Sequence, residues 1–292
     1  MSPPPSSPSS TPPSKSPSES PSGPTSDSVD PAAVARDLEA VRSRAPLVHN
    51  ITNFVVMEPT ANALLAVGAS PVMAHALEEV EDIAGIASAL ILNIGTLSPA
   101  WIEAMVLAGQ TASRRGIPVV LDPVGAGASA YRTRICMELI ETVTPTIIRG
   151  NASEILTLAG EQGGGRGVDS TARAEDAGAP AGVLARATGA IISVSGALDL
   201  VTDGTRELRI TSGTPLMARV TGMGCTASAL TGALAAVNPD FVEAAAHAMA
   251  IMGVAGEMAA DTAKGPGSLV PAFHDALYWM NEADLGERLR QP

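Results

Sequence analysis

Short apolar runs alternate with helix-length amphipathic stretches along most of the chain. Leu47–Ile51, Ser70–Ala74, Ala89–Ile94, Ile117–Leu121, Thr146–Ile148 and Ala190–Val194 read as strands, several of them apolar enough to be buried on both faces. Between them the pattern predicts helices over Asp30–Arg42, Pro59–Val67, Glu78–Ser88, Ser98–Arg115 and Ser129–Val143. Another starts within Asn151–Glu154, and one more lies near 180–188. Pro31 and Pro99 stand where a first helical turn accepts proline, and Gly68 stands where a helix stops. Residues 161–179 are Gly-rich and charged, and read as a surface loop or lid. Asp199–Thr202 and Arg206–Ile210 flank Asp203-Gly204, a good hairpin turn. Val220-Thr221 then reads as a strand end before helices at 224–237 and 240–261. The loop Lys264–Ser268 and a last helix over 269–284 complete the pattern. Such alternation predicts an α/β fold, three layers α/β/α, with a mostly parallel central sheet.

Composition narrows the function. Residues 1–28 are almost entirely Ser and Pro, too poor in apolar surface to fold, and are expected to be a disordered tail. They lack the apolar core of a secretory signal. Residues 29–292 are enough for a single α/β domain. A net charge of −12 argues against nucleic-acid binding, and aromatics at 2% leave little for base stacking. No apolar run is long enough to span a membrane. Cys136 and Cys225 do not make a disulfide framework, and His49, His75, His247 and His274 lack ligand spacing for zinc. These features describe a cytoplasmic protein that handles small molecules.

In a parallel sheet, ligands sit beyond the carboxyl ends of the strands. Those ends carry Asn50 and Asn53, Asn93 and Thr96, Asp122, Arg149 and Asn151, and Ser195. Singly, each serves equally well as a turn or cap residue. Together they offer Asp122 and Glu154 to a hard cation and Arg149 to phosphate, a composition suited to Mg²⁺-ATP and phosphoryl transfer.

The remaining anion site is Gly222-Met223-Gly224-Cys225, a glycine turn opening a helix. The first N–H groups of a helix lack intrahelical partners and point at whatever anion sits there. A Gly-rich turn with a small buried cysteine is the plainer reading of the same residues. Gly222-x-Gly224-x-x-Ala227 also matches the loose dinucleotide fingerprint, but Asp240 sits in Asn238-Pro239-Asp240, a helix start. A Walker A loop is absent, so backbone amides would hold the phosphate without a P-loop lysine.

Seven motifs in order resemble the hydroxyethylthiazole kinase family. They are His49–Asn53, Gly68–Met73, Asn93–Thr96, Leu121–Gly127, Arg149–Glu154, Val220–Cys225 and Gly265–Ser268. The resemblance covers about 45–285. Cys225 separates this family from most ribokinase-like enzymes, which carry Asp there. The resemblance implies a ribokinase-like fold and ATP- and Mg²⁺-dependent phosphorylation of 4-methyl-5-(2-hydroxyethyl)thiazole, a salvage step toward thiamine. It also implies a homotrimer with active sites between adjacent subunits. By position, Asn53, Met73 and Gly222 resemble thiazole contacts. Arg149, Ser195 and Asn151 fall on the ATP side. Asp122 and Glu154 resemble the metal and phosphate group. Gly222, Met223, Gly224 and Cys225 resemble the anion hole, with Cys225 nearest the reacting hydroxyl. Met223 replaces a commoner small polar residue, and Ser195 a commoner Thr. Two rival readings remain at this stage: another vitamin-precursor kinase of the same fold, acting on hydroxymethylpyrimidine or pyridoxal, and a non-catalytic thiazole or nucleotide sensor. His49–Asn53 and Ser70–Met73 argue against the first; joint retention of Asp122, Glu154 and Cys225 argues against the second.

Overall fold

The computed structural model describes residues 1–2, 26–161 and 173–289. Most of the Ser/Pro tail, and the greater part of the loop expected over 161–179, lie outside the described residues. The elements run β1 (Ser26–Asp27), α1 (Pro31–Arg44), β2 (Leu47–Ile51), α2 (Met57–Val67), β3 (Ser70–Val72), α3 (Val80–Ile86), β4 (Ala89–Asn93), α4 (Pro99–Arg115) and β5 (Val119–Asp122). Then follow α5 (Ala130–Val143), β6 (Ile147–Asn151), α6 (Ala152–Leu158), α7 (Gly178–Thr188), β7 (Ile191–Ser195), β8 (Asp199–Thr202) and β9 (Glu207–Ile210). The chain ends in α8 (Met223–Ala235), α9 (Phe241–Thr262), α10 (Pro266–Trp279) and α11 (Glu282–Arg288).

One sheet orders the strands β1-β9-β8-β7-β6-β5-β4-β2-β3. From β7 to β3 neighbours are parallel, while β8 pairs antiparallel with both β7 and β9. The antiparallel edge is the hairpin that Asp203-Gly204 closes. Gly204 sits at φ +88°, and Asp203 Oδ1 accepts from the N–H groups of Thr205 and Arg206, both at 2.7 Å. β1 lies within the stretch expected as tail, pairing parallel with β9.

Two apolar layers hold the sheet. One face packs Val48, Ile91, Val120, Ile147 and Val201 against α1, α2, α8, α9 and α10. The other packs Ile51, Leu90, Leu92, Leu121, Ile148 and Ile192 among α3 to α7. Because strand side chains alternate, the parity of each strand sets which face its last polar residue joins. Asn93, Asp122, Arg149, Ser193 and Asp199 share parity with Ile91, Val120, Ile147, Ile191 and Val201. All five therefore lie on the α8 face.

Three local expectations change. Residues 215–219 form a 3₁₀ turn, and Val220-Thr221 is no strand end. Thr214 caps that turn by accepting from the Leu216 N–H at 3.4 Å, and Pro215 follows with φ already set and no N–H for a ladder. The segment 173–179 is not loop: a 3₁₀ turn spans Ala174–Ala177 and α7 begins at Gly178. The final helix is two helices. Gly265 and Pro266 open α10 earlier than expected, and Asn281 caps α11 with a reciprocal bond to Asp284.

Candidate functional site

α8 begins at the centre of the polar edge. Gly222 is its N-cap, at φ +90°, and the first paired amide is Thr226 N–H, which donates to Gly222 O at 2.8 Å. The N–H groups of Met223, Gly224 and Cys225 thus have no acceptor within the helix, and the helix dipole adds positive potential there. The Met223 side chain packs against the apolar layer. Its departure from a small polar residue therefore alters the wall of the core and leaves the backbone N–H in place. A Cβ on Gly224 would stand 2.9 Å from Arg149 Nη1, so the guanidinium lies directly on the helix start.

Below it runs a buried relay of side chains. Asn53 Nδ2 donates to Asn93 Oδ1 at 2.9 Å and lies 3.5 Å from Cys225 Sγ. Asn93 Nδ2 donates to Asp122 Oδ2 at 2.7 Å, and Ser228 Oγ donates to the same oxygen at 2.8 Å. Asn93 and Asp122 are register partners on β4 and β5, which is why they meet. A Cβ on Gly95 would fall 2.6 Å from Asn53 Nδ2, so this position needs glycine for Asn53 to reach inward. Burial raises the Asp122 carboxyl above its usual range, while Arg149, Ser228, Asn93 and the Cys225 thiol pull it back.

The thiol itself is pushed up to about 12, chiefly by burial and then by Asp122. A helix N-terminus alone would lower it. Here desolvation and a neighbouring carboxylate outweigh the dipole before any phosphate arrives, and Cys225 stands as a neutral thiol.

Glu154 forms the second acidic pole. Its Oε1 accepts from Gly125 N–H and its Oε2 from Asn151 N–H, each at 2.8 Å, while Asn151 Oδ1 accepts from Glu154 N–H at 3.0 Å. This capping box starts α6 and ties the Asp122–Gly127 loop to it. Burial, then Asp122, lifts the Glu154 carboxyl to about 7 against the pull of both amides and Arg149. Asn151 and Ser195 are register partners, and Ser195 Oγ lies 3.5 Å from Gly150 O.

The predicted residues Asn53, Asp122, Arg149, Asn151, Glu154, Ser195 and Gly222–Cys225 thus converge. Met73 stands apart from the acidic pole, half-buried just after β3, its carbonyl 3.2 Å from His75 Nδ1. His75 stacks on Trp101 at 4.1 Å between ring centres, and Phe54 meets Trp101 edge-on at 4.6 Å. These rings wall the β3–β2–β4 side of the edge. Ser228, Ser193 and Asp199 were not singled out by their sequence context. Ser228 had one usable signal, its place four residues after Gly224 on the helix face that meets the sheet.

As to metal, no group of three or more His, Cys, Asp or Glu among the described residues could hold an ion. Asp122 and Glu154 supply hard oxygen donors and nothing more. That donor set fits Mg²⁺ completed by water and phosphate oxygens, and does not fit an all-protein site.

The family model for hydroxyethylthiazole kinases matches residues 38–283. The chain belongs to the hydroxyethylthiazole kinase family. A hydroxyethylthiazole kinase of Syntrophus aciditrophicus is 59% identical over 254 residues, 87% of this chain and 94% of that relative. One from Nitratidesulfovibrio vulgaris is 58% identical over 255 residues, 87% and 96% of the two chains. The solved structure of the hydroxyethylthiazole kinase protein from Pyrococcus horikoshii superposes with a TM-score of 0.82 at 44% identity, covering 89% of this chain and 98% of that one. This kinase therefore has the ribokinase-like fold that the resemblance implied. A pyridoxal kinase from Staphylococcus aureus, at 19% identity and TM-score 0.56, shares that fold.

Proposed function

We propose that this kinase transfers the terminal phosphoryl group of ATP to the hydroxyl of 4-methyl-5-(2-hydroxyethyl)thiazole, a salvage step toward thiamine. The observation that carries the site is the Arg149 guanidinium lying on the α8 N-terminus, with Asp122 in its field and bonded to the Cys225 thiol. Arg149 and the amides of Met223, Gly224 and Cys225 hold the transferring phosphoryl group, stabilising charge that spreads over its oxygens. Ser195 and Asn151 flank the nucleotide. Asn53, Met73 and the Gly222 backbone hold the thiazole. Asn53 is fixed by Asn93 and in turn reaches Cys225, which supports a thiazole hydroxyl held beside the sulfur.

A neutral thiol is a weak base, and a loose transition state asks little of one. As the new O–P bond forms and the bond to the leaving ADP breaks, the hydroxyl proton passes to the Cys225 sulfur while the thiol's own hydrogen moves to the ionised Asp122 carboxylate it is bonded to. Asp122 and Glu154 would hold Mg²⁺, which when bound neutralises charge on the phosphates. We further assign the kinase to a homotrimer whose sites lie between subunits. Phe54 and Val55, 65% and 60% exposed beside Asn53, offer apolar surface at the substrate end of the edge in support. A cytoplasmic location is consistent with two free thiols, Cys136 and Cys225.

The deciding experiment offers thiazole alcohol, hydroxymethylpyrimidine and pyridoxal in turn with ATP and Mg²⁺. Thiazole phosphate as the main product is expected. Faster turnover of either rival, or ATP binding with no product from any, overturns the assignment.

A further inference from the structure

Asp199 is buried at 7% exposure at the start of β8, outside the seven motifs that carry the family resemblance. One role is visible at once. Its Oδ1 accepts from Gly196 N–H at 2.9 Å, closing the tight turn that follows Ser195. The turn is crowded from outside: a Cβ on Gly196 would come within 3.1 Å of Ala174 Cβ and 3.2 Å of Leu198 O.

The second role comes from the face Asp199 shares. Arg149 is the register partner of Ser193, and Ser193 that of Val201, two residues beyond Asp199 on the antiparallel strand. Arg149 and Asp199 therefore lie on one face of three adjacent strands, with Ser193 between them. Arg149 is 6% exposed and its Nε has no hydrogen-bond partner, nor has the buried Ser193 Oγ. A buried guanidinium so poorly bonded through its own neck needs charge to hold it. Burial lifts the Asp199 carboxyl to about 7, and the Gly196 N–H and Arg149 pull it down again. The acid therefore lies within the field of the guanidinium from the side opposite Asp122.

We propose that Asp199 is a positioning residue for ATP, holding the Ser195 turn by its hydrogen bond and the Arg149 guanidinium by its charge. The inference rests on the reading of Arg149 as the phosphate contact. Asp199 touches no substrate; it acts through two residues that do.

The test is steady-state kinetics in both substrates at pH 8, where Asp199, lifted to about 7, is charged, for Asp199→Asn, Asp199→Ala, Arg149→Ala and the Arg149→Ala/Asp199→Asn double variant. Asparagine keeps the acceptor for Gly196 N–H and removes the charge. Asp199→Asn should raise KM for ATP roughly tenfold, the weight of one charge-assisted contact, with KM for thiazole within about twofold of wild type. In the Arg149→Ala background the same substitution should add almost nothing. Asp199→Ala should show the ATP defect and also a lower melting temperature, from loss of the turn bond. Two outcomes overturn the proposal: an unchanged KM for ATP in Asp199→Asn, or equal rises for both substrates, the mark of a general structural defect. If Arg149→Ala raises KM for ATP while Asp199→Asn does not, the positioning role falls and the phosphate contact stands. If Arg149→Ala leaves KM for ATP unchanged, both fall.

Discussion

The glycine at the α8 N-cap provides a perturbation whose cost divides cleanly into strain and function. Gly222 has φ +90° and ψ −9°, and a Cβ there would stand 2.9 Å from Val56 Cγ1. Gly116, which ends α4, also has positive φ, +69°, but a Cβ there meets nothing within 4 Å. Alanine at either site pays about 1–2 kcal/mol for a left-handed backbone. At Gly222 the contact adds more, because Val56 is only 2% exposed and has little room to yield. Overpacking of this kind costs about 1–3 kcal/mol. Gly222→Ala should therefore lose roughly 2–5 kcal/mol and Gly116→Ala roughly 1–2, read from urea unfolding at fixed pH and salt. Turnover should separate the pair much further. The Gly222 position aims the amides of Met223 to Cys225, and a displacement of about 1 Å at such a site costs on the order of 10²-fold in rate. Gly116 is at the other end of the strands and should keep near-normal turnover. Single-turnover phosphorylation, run where both variants are fully folded, makes the comparison. Gly222→Ala that is destabilised as expected yet turns over as fast as Gly116→Ala would refute the backbone anion hole.

Glu154→Gln and Asp122→Asn should each lower turnover and shift the Mg²⁺ titration to higher concentration, since each removes a negative charge from the proposed metal group; wild-type titration curves for both would remove them from it. Without Mg²⁺, Glu154 should make stability fall with rising pH. Its carboxyl moves from 4.5 to about 7 on folding, so the fold binds the extra proton and loses about 3 kcal/mol between those values. Urea midpoints for wild type that stay flat from pH 5 to pH 8, or fall just as steeply in Glu154→Gln, would contradict this. Cys225→Ala and Cys225→Ser should slow turnover by at most about 10²–10⁴-fold, and Cys225→Asp should remain active; a folded Cys225→Asp protein with no detectable turnover removes proton transfer from this position.

The architecture was legible because its signals are local. Apolar runs of strand length, capped helices at Ser98 and Ser129, and Asp203-Gly204 each act within a few residues. Most of the site was legible for a related reason: a parallel sheet delivers every strand end to one edge, so motifs at strand ends must meet. What stayed hidden depends on register and parity. Nothing near Asn93 in sequence shows that it bonds both Asn53 and Asp122. Asp199 looks like a hairpin residue until β8 is known to pair antiparallel with β7. The place of Cys225 at a helix N-terminus points to a lowered thiol, whereas burial and Asp122, neither visible in the sequence, keep it neutral. The break after Trp279 was missed because Asn281 interrupts an otherwise continuous helical pattern.

The charges at this edge explain why stability and activity should oppose each other there. Asp122, Glu154 and Asp199 are all buried, and Arg149 is the buried cation that acts on all three. Fully ionised, these four groups would leave two negative charges in a low-dielectric region, which burial strongly disfavours. Glu154 and Asp199, lifted to about 7, answer by being only partly ionised at neutral pH. The same two-charge deficit matches a divalent cation. It follows that neutralising any one of these acids can stabilise the substrate-free fold while weakening the site. Arg149→Ala should do the reverse of stabilising, since it strands three acids at once. A kinase selected for stability alone would lose these carboxylates first. Asp122 and Glu154 each keep two hydrogen bonds, and those of Glu154 also cap α6, so the fold offsets part of the cost of burying them and the proposed cation would offset the rest.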